Sequence, residues 1–338
     1  MSYLKKINLD VSRFILALMI VAIHIYPLSF VSETLDYMVT RVMFRIAVPV
    51  FLMITGYYVI PNAIESRKKI INYTKKILKL YLISMLIYLP INIYNGYFRD
   101  LSILKLIKDI FIDGTFYHLW YFPALILGLW IVYLLVIKLD KKYVCGIVSL
   151  LFVIGILGDN YYGLIKDVNV LNNIYKFIFT IFEYTRNGLF YTPIFIYMGY
   201  LISGSKLKVS KKNNIYLMLL FLTLMMLEGG ILYYFDIPKH SSMYFFLLPL
   251  SYLTFNYLIS YTKGSNKKLR NIANWIYVLH PLFIVIVHFM ERLPIIGGIV
   301  SNSFVTYILV VIFTVGFIVV ADKLVTIYKK KKSLKLSS

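Results

Sequence analysis

The chain has 338 residues, of which 60% are hydrophobic and 15% charged, against about 45–50% apolar and about 25% charged in soluble domains; an ordinary water-soluble fold is excluded. A span needs about 20 apolar residues, so ten spans use roughly 200 and leave only short connections. Runs of this length without strict alternation are helices rather than barrel strands, because backbone amides in lipid must pair within the segment. The formal charge of +21 raises nucleic acid as a partner, but that reading needs a basic face on a soluble domain, so no nucleic acid is expected. A single cysteine, Cys145, excludes an internal disulfide and a cysteine metal cage; no metal and no bound cofactor are expected.

Apolar runs predict an all-α, polytopic membrane bundle of ten helices at about 11–30, 42–60, 77–95, 118–137, 143–158, 188–203, 215–235, 243–261, 272–290 and 303–321. Span one opens on Asp10 and Arg13 and carries His24. Eleven residues turn roughly 1100° and rise about 16 Å, so Arg13 and His24 share a face, one at the interface and one beyond mid-membrane. Ionisable groups at such depth mark functional cavities by default. The plainer alternative is a snorkelling Arg13 and a His24 satisfied by a carbonyl. His24 and Pro27, with no small-residue cleavage site after them, argue against a cleavable signal peptide.

Arg41 and Arg45, four apart at the entrance to span two, either hold an anionic acceptor or pair with Glu33 and Asp36. Lys75, Lys76 and Lys79 open span three, as phosphate contacts or as topology anchors. His118 lies in Tyr117-His118-Leu119-Trp120-Tyr121-Phe122-Pro123 at the start of span four, where Trp120 and Tyr121 read first as an aromatic belt. Glu228, beside Gly229 and Gly230 in span seven, is a proton acceptor, a partner for a basic residue, or a helix end. His280 precedes Pro281 in span nine; the proline leaves a carbonyl open to a ligand, or merely kinks the helix. Segments 101–113 and 171–184 space their apolar residues as interfacial helices do and are expected to roof the bundle from outside.

Lys5, Lys6 and Arg13 open the chain, and the even-numbered gaps and the tail 322–338 hold further clusters at 67–79, 138–142, 206–212, 263–270 and 323–335. Together these make 26 of the 36 Lys and Arg on one side, while the opposite gaps hold ten of the fifteen acids. The positive-inside rule then puts both termini in the cytosol. No repeat or long linker divides the chain, and residues 1–338 read as one domain. P-loop, GxGxxG, GxSxG and HExxH frameworks are absent.

The chain resembles the membrane-bound acyltransferase-three family, a ten-span group that modifies polysaccharides, lipids and other acceptors. The likeness rests on Arg13 and His24 at the family's arginine-ten-residues-histidine spacing, the Pro49–Tyr57 stretch, His118-Leu119-Trp120-Tyr121, and Trp275-Ile276-Tyr277-Val278-Leu279-His280-Pro281. Segments 90–98, 113–121 and 184–190 are similar to the membrane domain of the vancomycin-resistance membrane serine racemases. The chain ends near its tenth span, so no pyridoxal-phosphate racemase domain is expected within it. Where the family carries paired arginines before span three, Lys76 and Lys79 stand; lysine neutralises phosphate but lacks the bidentate fork.

The resemblance implies an integral protein of the bacterial cytoplasmic membrane that moves an acyl, chiefly acetyl, group from cytosolic acyl-coenzyme A to a hydroxyl or amine of an extracytoplasmic glycan or small-molecule acceptor. Arg13, Lys76 and Lys79 would meet the donor, and His24 would act as base or acyl carrier. Arg41, Arg45, His118, Trp120, Tyr121, Glu228 and His280 are further substrate-binding candidates, of which Trp120, Tyr121 and His280 would line the channel. The rival implication is a module for uptake of L-serine, serving a separate racemase without acyl transfer.

Overall fold

The computed structural model describes residues 9–99, 101–204, 209–261, 264–294 and 297–337. Lys5, Lys6, Asp100, Lys206, Lys208 and Lys263 lie outside them. Among the described residues there is no strand. The longer helices and two shorter surface ones are, in chain order, α1 (Leu9–Ile25), α2 (Ala47–Glu65), α3 (Arg67–Tyr94), α4 (Ile103–Lys108), α5 (Tyr121–Lys138), α6 (Lys141–Leu157), α7 (Asn169–Ile181), α8 (Thr192–Gly204), α9 (Lys211–Tyr234), α10 (Leu247–Tyr261), α11 (Lys267–Met290) and α12 (Ser303–Ser337). Six helical stretches are long and apolar enough to cross a membrane: Glu33–Glu65, Arg67–Tyr94, Tyr121–Lys138, Lys211–Tyr234, Lys267–Met290 and Ser303–Lys329. At the remaining expected spans α1 and α6 have 17 residues each, α8 has 13 and α10 has 15. Each falls below the length that a full perpendicular crossing asks of a single helix, about 20 residues.

The chain divides into two compact units, residues 1–40 with 261–338, and residues 41–260. In the first unit α1, α11 and α12 pack on one another. Helix α11 starts at Asn266, whose side chain accepts from the Leu269 N–H at 3.0 Å and so satisfies one of the open amides of the first turn. Its buried residues Ala273, Ile276, His280, Ile284 and Val287 recur every three or four positions, a single stripe facing the neighbouring helices. Helix α1 offers Ala17, Ile20 and Val21 in return. It stops where Tyr26 takes a left-handed φ of 58° ahead of Pro27.

The second unit is built around the pair α2 and α8. Two glycines set their approach: a Cβ on Gly56 would lie 1.9 Å from the Ile196 carbonyl oxygen, and one on Gly199 would lie 2.1 Å from that of Met53. Backbone meets backbone from both sides, the small-residue packing by which helices associate when lipid offers no hydrophobic drive. Tyrosines fasten the outer segments to this frame. Tyr81 donates to the Ile110 carbonyl at 2.9 Å, and Tyr175 to that of Ile154 at 2.6 Å.

The first expected interfacial segment is helical from Ile103 to Asp113, as α4 followed by a π-helical turn over Asp109–Asp113; at Gly114, with φ of 84°, the chain turns away. The second is helical over α7, two residues earlier than its apolar pattern and ending before Phe182 turns extended. Both carry exposed apolar residues at helical spacing, Ile103, Leu104, Ile107 and Phe111 in one and Val170, Ile174, Phe177 and Ile181 in the other.

Candidate functional site

Within the first unit the polar groups of α1 meet those of α11 at two levels. At the start of α1, buried Asp10 takes the Arg13 guanidinium at 2.5 Å, the Arg270 guanidinium at 3.2 Å and the Asn266 N–H at 2.7 Å. One carboxylate thus gathers two arginines and the N-terminal end of α11, leaving the cluster with a net positive charge. Farther along α1, His24 lies on the face of Arg13, and its ring stacks on His280 with centroids 5.3 Å apart and planes 28° apart. His280 is fully buried, while His24 is only partly so. A carbonyl only accepts, so the 2.9 Å contact to Ile276 fixes the His280 proton on Nδ1. Pro281 supplies no N–H to the Tyr277 carbonyl, and this stretch of α11 turns polar groups inward.

In the second unit the expected residues separate. His118 is buried in an aromatic nest, edge-on to Tyr88 at 4.8 Å and to Phe116 at 5.7 Å. Glu228 is buried at the end of α9 and takes donors from the Tyr161 hydroxyl at 2.7 Å and from the Phe245 and Phe246 N–H groups at 2.6 and 3.0 Å. Three donors on two oxygens tie α9 to the entry of α10. Lys76 and Lys79 are exposed on α3. The carbonyl of Arg41 accepts from Tyr244 at 2.8 Å and from Arg45 Nε at 3.4 Å. In the first unit Asp36 accepts from the Leu28 N–H at 2.9 Å and the Thr40 hydroxyl at 2.9 Å.

Trp120 is one of two rings that hold a cation. The Arg186 guanidinium sits 4.9 Å from its ring centre and 4.9 Å from that of Tyr184, and Tyr191 packs on Trp120 at 6.2 Å. Arg186 is held between two buried anchors. Thr185 donates to the Gly155 carbonyl at 2.7 Å, and the Asn187 side chain accepts from the Leu189 and Phe190 N–H groups at 2.9 and 3.0 Å. Facing it, fully buried Asp159 accepts from the Ser242 and Met243 N–H groups at 2.7 and 3.0 Å, and its other oxygen lies 3.5 Å from His240 Nδ1. Burial, then the charge of Arg45, pushes Arg186 down to about 10, still cationic at neutral pH. Burial and the two arginines push His240 down to about 4 despite Asp159, so its imidazole is neutral there.

Arg186, Asp159 and His240 were not singled out by their chemistry in the sequence. The available signal was an arginine in a polar turn, Tyr184-Thr185-Arg186-Asn187, just before an apolar run. No group of three or more metal-ligating side chains occurs among the described residues.

A profile of the acyltransferase domain matches residues 6–323. The chain belongs to the acyltransferase-three family. It is 40% identical over 334 residues to a protein of Enterococcus faecalis named amino-acid racemase, covering 96% of this chain and 46% of that protein. It is 36% identical over 324 residues to a serine/alanine racemase of Enterococcus gallinarum, covering 93% and 46%. The chain therefore spans about half the length of these relatives. No solved structure matches it. As a family member with several apolar helices, it is a multi-pass membrane protein with an acyltransferase-like domain.

Proposed function

We propose that the protein transfers an acyl group, chiefly acetyl, from acyl-coenzyme A in the cytosol to a hydroxyl or amine of an extracytoplasmic acceptor such as a cell-envelope glycan. The observation that carries this is the stack of His24 on His280, on the helix face shared with Arg13. In this reading ten helices cross the bacterial cytoplasmic membrane with both termini inside, following the division of basic residues. Arg13, beside Asp10 and Arg270, meets the donor's phosphates; Lys76 and Lys79 are a second set of phosphate contacts.

His24, the more accessible ring of the pair, takes the proton from the attacking hydroxyl as its oxygen forms the new ester bond. The thioester bond breaks, and coenzyme A leaves as a thiolate that is then protonated. His280, fixed as the Nδ1–H tautomer, holds the ring of His24 in place. The test is acyl transfer from radiolabelled acetyl-coenzyme A by purified full chain. Loss of turnover in His24→Ala and His24→Asn, with folding intact, supports the reading, because an amide replaces a hydrogen bond but does not titrate near neutral pH. Near-normal transfer by His24→Asn makes the histidine structural.

The name of the Enterococcus gallinarum relative, a serine/alanine racemase, favours one second reading: uptake of L-serine for a separate racemase, with no acyl transfer. Saturable binding of L-serine with no response to acetyl-coenzyme A under matched conditions would select it.

A further inference from the structure

The cluster around Arg186 is built like a binding site and has no role in the donor chemistry. Among the described residues, neither Arg45 nor Arg186 makes an ion pair, and Arg186 Nε is buried with no hydrogen-bond acceptor. Its guanidinium is positioned by the faces of Trp120 and Tyr184, which steer a cation without occupying its N–H groups. Leaving such a donor without an acceptor costs free energy, and the buried anchors at Thr185 and Asn187 hold it there all the same. The charges count out simply: Arg45 and Arg186 give two positive, Asp159 one negative, and His240, turned toward Asp159, adds none at neutral pH. One negative charge balances the set.

We propose that Arg186, held between the rings of Trp120 and Tyr184, and Arg45 form a site for a monoanionic oxyanion, a carboxylate or a phosphodiester. The planar fork of Arg186 matches either group in a bidentate manner. The buried carboxylate of Asp159 disfavours a second negative charge on the ligand. A small carboxylate and the headgroup of an anionic lipid share this chemistry. The site deepens the acceptor side of the proposed acyl transfer, but its occupancy requires no acyl donor.

Trp120 reports on the site directly. In full-length protein carrying W130F and W275F, reconstituted in nanodiscs of phosphatidylcholine, acetate titrated at constant ionic strength should change the emission of Trp120 to saturation. R186Q and R45Q should each weaken that response by about tenfold or more, the loss of one charge-assisted contact. R186K should fall between, and K166Q, on an exposed lysine elsewhere, should change nothing. A response only when phosphatidylglycerol replaces part of the nanodisc lipid, lost in the same variants, assigns the phosphodiester as the source. The proposal is overturned if neither acetate nor phosphatidylglycerol produces a saturable change, if chloride reproduces it, if sulfate binds more tightly than acetate, or if R45Q and R186K respond as the parent does. With no donor present, a failed titration leaves acyl transfer standing, and inactive His24 variants leave this site standing.

Discussion

The two polar clusters use arginine in opposite ways. In the first unit Arg13 and Arg270 converge on one buried carboxylate, Asp10, which also accepts a backbone N–H of the turn before α11. In the second unit Arg186 rests on rings, and its Nε has no acceptor. A guanidinium held by a carboxylate is pinned, and its partner depends on it; one held by aromatic faces keeps its hydrogen-bonding edge for something else. The difference predicts that loss of Asp10 registers chiefly as stability, and loss of Arg186 chiefly as ligand response.

The largest effect is expected at the histidine stack. His24→Ala should lower acyl transfer by about 10²–10⁴-fold, the contribution of a positioned base, measured as label transferred per mole of folded protein. His280→Asn should cost less, because its amide nitrogen takes the place of Nδ1 and can still donate to the Ile276 carbonyl while the stacked ring is lost. Equal activity in both variants would dissolve the pair as a reaction centre.

Next, Asp10→Ala removes the carboxylate between two arginines and should destabilise the folded chain by about 3–5 kcal/mol, as when one partner of a buried charge pair is deleted. Thermal unfolding in detergent checks it. Arg270→Ala should cost far less, its side chain being 43% exposed. If the two variants unfold alike, Asp10 is not the organising group.

Gly56→Ala sharpens the comparison from the packing side. The added methyl meets a backbone carbonyl that cannot swing away, and overpacking of this kind costs about 1–3 kcal/mol. The loss should appear in the same unfolding assay without changing the Trp120 response.

A further effect, small at neutral pH, concerns acid. His240 falls to about 4 in the folded chain from an unfolded value of about 6.5. Between those values the unfolded chain binds more protons, so stability is full above about 6.5 and declines as pH falls toward about 4, by up to about 3 kcal/mol. His240→Gln should flatten that slope. An unchanged slope would place the acid sensitivity elsewhere.

What the sequence made legible was what local pattern encodes. Apolar runs located the helices, and His24, His280 and Arg13 stood out as polar groups in them. That His24 and His280 touch was not legible, because the contact joins α1 to α11, helices far apart in the chain. Glu228 left a proton acceptor and a helix end equally open; only the donors from Tyr161, Phe245 and Phe246 show what surrounds it. Arg186 carried no such signal, since Trp120, just before α5, and Asp159, in the loop after α6, are both far from it in the chain. Helix ends were least legible. Expected span one continued to about residue 30, and Tyr26 ends α1 at Ile25 by a backbone torsion that tyrosine seldom adopts.

The outward apolar edges of α4 and α7 bear on how the protein should be handled outside its native bilayer. Leu104 is 80% exposed, Val170 70% and Phe177 67%, and they lie on short helices rather than on the long ones. A narrow belt of short-chain detergent, fitted to the waist of a bundle, leaves such shoulders bare, and bare shoulders are where extracted molecules stick to one another. Discs or bicelles with a broad lipid collar cover them, and in those media the purified protein should remain monodisperse for longer.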